Sequence, residues 1–130
     1  MTDNTASNPV VWFEIYVQDM ARARKFYETV LSKKLEELKD PSGTSEMWSF
    51  PGSMDPKPGA SGALCKMQGV PSGAGGTMVY FGCDDCAVEG ARVVSAGGMI
   101  EKEKMSIGQY GSIVLAKDTE GNMFGLHSMN

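Results

Sequence analysis

The chain alternates between apolar stretches of two different periods. Residues 8–19 (NPVVWFEIYVQD) are apolar and rich in Val, Ile and aromatics, which predicts a buried strand. From residue 20 the period changes. Met20, Ala23, Phe26, Tyr27, Val30 and Leu31 recur at helical spacing with Arg22, Arg24, Lys25 and Glu28 between them, so 20–31 is a predicted helix with Asp19 as its N-cap. Three shorter strands are predicted at 33–40, 44–52 and 62–69, joined by the turn stretches PSG (41–43) and GSMDPKPGASG (52–62). VPSGAGG (70–76) reads as a connector. The order then restarts: a strand at 77–85, a helix at 86–96 stopped by Gly97 and Gly98, and strands at 99–105, 110–118 and 122–129.

The restart is a repeat in fixed phase. Val17 and Cys83 stand 66 positions apart (83 − 17 = 66), as do Asp19 and Asp85, Tyr27 and Val93, and Val30 and Ala96. Each copy is too small to bury its own sheet face, so two half-sheets are expected to pack together around a shared cavity. The expected organisation is one domain over 1–130, with a first βαβββ module at 9–69, the connector at 70–76 and a second module at 77–130.

Composition narrows the function classes. At 130 residues, 42% hydrophobic and 22% charged, the chain is a globular domain of ordinary size. A net charge of −4 argues against nucleic acid or an anionic membrane as partner. No apolar run is long enough for a transmembrane helix. MTDNTASNP (1–9) lacks the features of a signal peptide and reads as a short disordered arm. Three cysteines leave one unpaired in any disulfide scheme, which fits a reducing, cytoplasmic setting. Cys83 and Cys86 form a C-x-x-C at a strand–helix junction. By the repeat they stand where Val17 and Met20 stand, so they are expected in the core and not as a redox or zinc pair. No nearby Lys, Arg or His would lower a thiol pKa, and two aspartates would raise it.

The segments WFEIYVQDMARARKFYETVL (12–31), GTMVYFGCDD (76–85), AGG (96–98) and DTEGNMFGLHS (118–128) resemble the vicinal oxygen chelate superfamily, the glyoxalase, bleomycin-resistance and extradiol-dioxygenase fold. The last segment is close to that family's D-x-x-G-N-x-x-x-L closing strand. The resemblance implies an α+β fold: two tandem βαβββ modules forming an open eight-stranded mixed sheet around a cavity, often in a homodimer. It also implies where a metal would sit. The family's ligand positions fall on Trp12, Met78 and Gly125, with a fourth near Cys65. Trp, Met and Gly are not ligands for a divalent ion, so the expectation is no metal and no cofactor, against glyoxalase I or dioxygenase chemistry.

Strand alternation then selects the cavity side chains. With Trp12 inward, Glu14 and Tyr16 follow; with Met78 inward, Tyr80 and Gly82; with Gly125 inward, Met123 and His127. Glu14 interrupts an apolar strand and is costly there unless hydrogen-bonded, paired or facing a wet cavity. It is the candidate general base or ligand anchor; a carboxylate satisfied by backbone or Tyr neighbours, or solvated at a sheet edge, is the alternative. His127 is the second ionisable candidate. Trp12, Trp48, Tyr16, Tyr80 and Phe124 are candidates to stack on a flat ligand. Gln109 and Tyr110, beside Gly108 and Gly111, sit on a loop placed to cover the cavity mouth. EKEK (101–104) reads as a solvated strand face. Three functions stay open: a metal-independent protein for a small organic molecule, with lyase or isomerase chemistry through Glu14 if it is an enzyme; a drug-sequestering protein of the bleomycin-resistance type; and a non-catalytic dimerisation or regulatory domain.

Overall fold

A computed structural model describes residues 8–52 and 59–130. The arm expected at 1–9, apart from its last two residues, and the middle of the turn stretch 52–62 lie outside the described residues. The elements run β1 (Val10–Tyr16), α1 (Met20–Leu31), β2 (Glu36–Leu38), β3 (Ser45–Ser49), β4 (Ser61–Met67), β5 (Thr77–Gly82), α2 (Cys86–Val93), β6 (Met99–Ser106), β7 (Ser112–Lys117) and β8 (Met123–Ser128). A 3₁₀ turn over Gly108–Tyr110 takes the place of the predicted start of the seventh strand. Among the described residues no helix is long and apolar enough to cross a membrane.

Both helices begin for the same local reason. Asp19 and Asp85 are extended residues whose carboxylates accept backbone N–H bonds from Arg22 and Ala87, each at 3.0 Å. The Lys104 ammonium adds a 2.8 Å contact to Asp85 and holds that carboxyl below the usual range. The helix over 20–31 has the predicted bounds. The second helix ends at Val93, three residues early, where Gly98 N–H closes on Val93 O at 2.9 Å.

The strands form a single mixed sheet in the order β2-β3-β4-β1-β5-β8-β7-β6. Its centre is the antiparallel β1/β5 joint, where Phe13 faces Val79. These two residues are again 66 apart, so a pseudo-twofold axis of the repeat runs through the joint. On either side β1 pairs in parallel with β4, and β5 with β8. Each helix covers its own module's half of one sheet face. Met20 of α1 packs with Leu35 and Leu64, flanked by Ile15, Val17, Tyr27, Trp48 and Phe50. Cys86 of α2 packs with Val114 and Leu126, flanked by Phe81, Cys83, Val93 and Phe124.

The opposite, concave face carries neither helix core. A side chain at Gly108, in the β6–β7 turn, would lie 3.7 Å from Cβ of Pro41, in the β2–β3 turn. Those turns belong to the two edges of the sheet and occupy equivalent places in the repeat. The sheet therefore curls until its edge hairpins meet over the concave face. The Pro41 turn is made rigid by Asp40, whose carboxylate accepts from Ser45 N–H at 3.0 Å and Ser42 N–H at 2.9 Å, and from both serine hydroxyls. Burial alone would raise the Asp40 pKa, but these bonds bring it down to about 2.

Leu64, fully buried between β4 and α1, tests the packing. Leu64→Ala is expected to cost about 2–5 kcal/mol in urea unfolding, and Val94→Ala, at an exposed position, within about 0.5 kcal/mol. Equal costs at the two positions would contradict the assignment of this core.

Candidate functional site

Register fixes which side chains share the concave face. Glu14 is directly opposite Met78 across the joint, and Trp12 opposite Tyr80. On the other flank Tyr16 pairs with Cys65, and Cys65 in turn with Met47. In the second module Tyr80 pairs with Gly125, and Gly82 with His127. Paired residues point to one side of a sheet, so Trp12, Glu14, Tyr16, Met78, Tyr80, Met123, Gly125 and His127 all line the concave face.

The centre of that face is a carboxylate. Glu14 is only 9% exposed. Its Oε1 accepts from the Tyr16 hydroxyl at 2.7 Å and from the Tyr80 hydroxyl at 3.2 Å. Its Oε2 accepts from Trp12 Nε1–H at 3.0 Å. Each donor arises from alternation: Trp12 and Tyr16 are two residues to either side of Glu14 on β1. Tyr80 is the residue equivalent to Glu14 in the second module. Among the described residues the ion pairs lie elsewhere, at Glu28, Glu37, Asp85, Glu89 and Glu101. Glu14 is thus buried among neutral donors with no cation opposite it.

The surroundings answer that charge. Burial first, then the Glu14 charge and the hydrogen bond to it, push the Tyr16 and Tyr80 hydroxyls far above the ordinary tyrosine range. Burial and Glu14, with Asp40 adding to them, likewise raise the Cys65 thiol far above the usual range. His127 stands at the other end of the face. Its Nε2 lies 2.6 Å from Tyr110 O, so the ring N–H donates there and ties the 3₁₀ turn to β8. That turn is pressed close at its base: a side chain on Gly111, at φ 103°, would meet Ser128 O at 2.2 Å.

Trp48, a candidate to stack on a ligand, does not line the concave face. It pairs with Leu64 and packs on the helix side of the sheet, with the Arg24 guanidinium 3.5 Å above its ring and its Nε1–H on Glu46 at 3.0 Å. Its neighbour Met47 takes the concave position. Phe124 likewise packs in the second core. SEMWSF has apolar residues in both phases, and only the pairing with β4 decides between them. Ile113, paired with His127, and Leu115, paired with Gly125, complete the concave wall. The sequence signal for them was absent, because IVLA is apolar in both phases.

The four positions at which the resemblance places metal ligands do not make a divalent-ion site. Trp12 offers an N–H that is already donated to Glu14, Met78 a thioether, Gly125 no side chain, and Cys65 a single thiol. Cys83 and Cys86 do not face the cavity; both pack on the second core, and burial with Glu89 pushes the Cys83 thiol up to about 11. Two surface hollows lie elsewhere. A polar one of about 590 Å³ is lined by Gln18, Thr44, Glu46 and Lys66, and an apolar one of about 370 Å³ by Phe13, Tyr27, Leu31 and Phe50. Neither contains a buried charge or a convergent set of donors, so the Glu14 cluster is the stronger candidate.

The tyrosines carry a pH dependence. In the unfolded chain they ionise near pH ~10, and in the fold well above it. Folding thus favours the protonated phenols: the stability they contribute is complete below pH ~10 and is lost as pH rises beyond it. Urea unfolding should show an alkaline fall of up to about 1.4 kcal/mol per pH unit for each tyrosine. The fall should become shallower in Tyr16→Phe; an unchanged slope when both Tyr16 and Tyr80 are replaced by Phe would contradict the assignment.

The chain was compared with known proteins. The bleomycin resistance protein-like N-terminal family matches residues 10–42. No curated protein sequence matches. Among solved structures, a hypothetical protein from Bacillus halodurans aligns with TM-score 0.71 at 14% identity, covering 96% of each chain. Streptomyces coelicolor methylmalonyl-CoA epimerase in complex with 2-nitronate-propionyl-CoA aligns with TM-score 0.69 at 13% identity over 95% of this chain and 98% of that one. Methylmalonyl-CoA epimerase from Mycobacterium tuberculosis aligns with TM-score 0.66 at 17% identity over 100% of this chain and 93% of that one. At these identities the likeness concerns the backbone: this chain carries the fold of the vicinal oxygen chelate superfamily.

Proposed function

We propose that this protein binds a small organic molecule on the concave face of its sheet, without a divalent metal, and that Glu14 Oε2 receives an N–H or O–H of that ligand. The observation that carries the reading is the arrangement of donors on Glu14. A carboxylate has about four acceptor sites. Tyr16 and Tyr80 take two on Oε1, and Trp12 takes one on Oε2. One site on Oε2 remains for a ligand. With no cation opposite the buried carboxylate, a ligand bearing an amine or hydroxyl is favoured and a carboxylate ligand is repelled. Met47, Met78 and Met123 give the face a soft apolar wall that adapts to the rest of the molecule.

The same open site supports a second reading, in which Oε2 abstracts a proton in isomerase or lyase chemistry. Similar folds in two methylmalonyl-CoA epimerases make that chemistry worth testing. A bleomycin-type binder would use the carboxylate for a cationic drug and turn nothing over. We further propose that the chain works as a cytoplasmic homodimer. Exposed Phe26, Val30 and Leu31 on α1 offer an apolar surface for the dimer, and three free thiols suit a reducing compartment.

Benzylamine, benzyl alcohol and benzoate are similar in size and differ in charge and donor. With the Trp12 indole N–H as NMR reporter, the amine and the alcohol are expected to bind and benzoate not. Glu14→Gln should weaken benzylamine by about ten- to a hundredfold, the worth of a hydrogen bond to a charged group. Benzoate binding as tightly as benzylamine, or indifference to Glu14→Gln, would sink the proposal. For the second reading, deuterium uptake next to the carbonyl of acyl thioesters should survive chelator and vanish in Glu14→Gln.

A further inference from the structure

Gly125 occupies the closing-strand position at which the resemblance places a metal-binding carboxylate, and its empty side-chain space is filled. A Cβ built there would lie 2.2 Å from Cδ2, 2.4 Å from Cε2 and 2.9 Å from Cγ of Tyr80. Contacts at that range reach the root of the ring, so no small flexing of its tip would relieve them. Tyr80 and Gly125 are register partners on the adjacent parallel strands β5 and β8, so the ring lies down over the glycine. In that pose Tyr80 is 7% exposed and its hydroxyl reaches Glu14 Oε1 at 3.2 Å.

We propose that Gly125 is a positioning residue for the Glu14 site: by having no side chain it seats the Tyr80 ring, whose hydroxyl fills Oε1 and leaves Oε2 as the oxygen that meets a ligand. The inference deepens the reading above and rests on it for the role of Oε2. The physical logic is one of competing acceptors. Tyr16 and Trp12 without Tyr80 would leave one site open on each carboxylate oxygen, so a ligand donor could approach either. Tyr80 closes Oε1 and gives the carboxylate a single open direction. Any side chain at 125 forces the ring off β8, and the hydroxyl leaves Glu14.

The experiment is a double-mutant cycle of Gly125→Ala and Tyr80→Phe with two readouts. The first needs no ligand: the number of tyrosines that ionise below about pH 11.5, from phenolate absorbance. Burial and then Glu14 raise the Tyr80 hydroxyl, so Tyr80 is expected to stay out of the wild-type count. Gly125→Ala is expected to add one tyrosine to that count, and the double variant to return it to the wild-type value. An unchanged count in folded Gly125→Ala overturns the proposal. The second readout is benzylamine affinity. Tyr80→Phe should change it by about fivefold in the parent protein and by under about twofold in the Gly125→Ala background, because there the hydroxyl has already left Oε1. Equal changes in both backgrounds would show that Gly125 does not act through Tyr80. The first readout stands even if benzylamine does not bind at all, so failure of the ligand reading is distinguishable from failure of the Gly125 link. Should Gly125→Ala not fold, Tyr80→Ala in the same chain removes the ring and should restore folding; absence of that rescue also overturns the proposal.

Discussion

A buried carboxylate without a counter-ion is the constraint around which the concave face is organised. Leaving Glu14 unsatisfied in that position would cost more than a domain of this size can spare. Three neutral donors meet it, and each fixes something else. Trp12 and Tyr16 come from the same strand, so the alternation of β1 must hold on both sides of Glu14. Tyr80 comes from the other module, so the β1/β5 joint must hold its register as well. A one-residue slip at the joint would turn Tyr80 to the helix side and remove a donor. The polar cluster thus specifies the pairing that the apolar cores, one under each helix, only permit.

The fold is nearly symmetric and the site is not. Position by position, the repeat makes Trp12 equivalent to Met78, Glu14 to Tyr80 and Tyr16 to Gly82, all 66 apart. Module one contributes charge and aromatic bulk; module two contributes one hydroxyl and the room for it. A symmetric pair of carboxylates at the joint would repel across a dry interface, whereas carboxylate and phenol form a hydrogen bond. The edge hairpins then meet at Pro41 and Gly108, at equivalent places in the repeat, and the His127 bond to Tyr110 holds one of them in place.

Much of the backbone could be read from the chain. The period change at Met20, the aspartate caps and the Gly97–Gly98 stop are local signals, and local steric and capping energies decide them. The repeat offset carried the rest, because Asp19 and Asp85 fix the phase of β1 and β5 without any tertiary information. Glu14 was legible as an interruption in an apolar strand. Of its alternative readings, backbone, Tyr neighbours or a solvated edge, the structure contains the Tyr bonds, with Trp12 as a third donor. Trp48 was not legible. Its strand carries apolar residues in both phases, and which phase faces a helix is settled by pairing across the sheet, whereas Phe124 lies on the helix side by alternation from Gly125.

The sequence by itself determined the element order, the duplication, the two helix starts and the presence of one carboxylate among aromatics on the first strand. All of these follow from periods and caps acting over a few residues. Only the tertiary structure decided that Tyr80 crosses from the second module to Glu14, that Gly125 makes room for its ring, and that Met47 rather than Trp48 lines the concave face. Those outcomes depend on register between strands distant in the chain. Register is set by the simultaneous burial of two helix faces and the satisfaction of one buried charge, which no local window of the sequence contains.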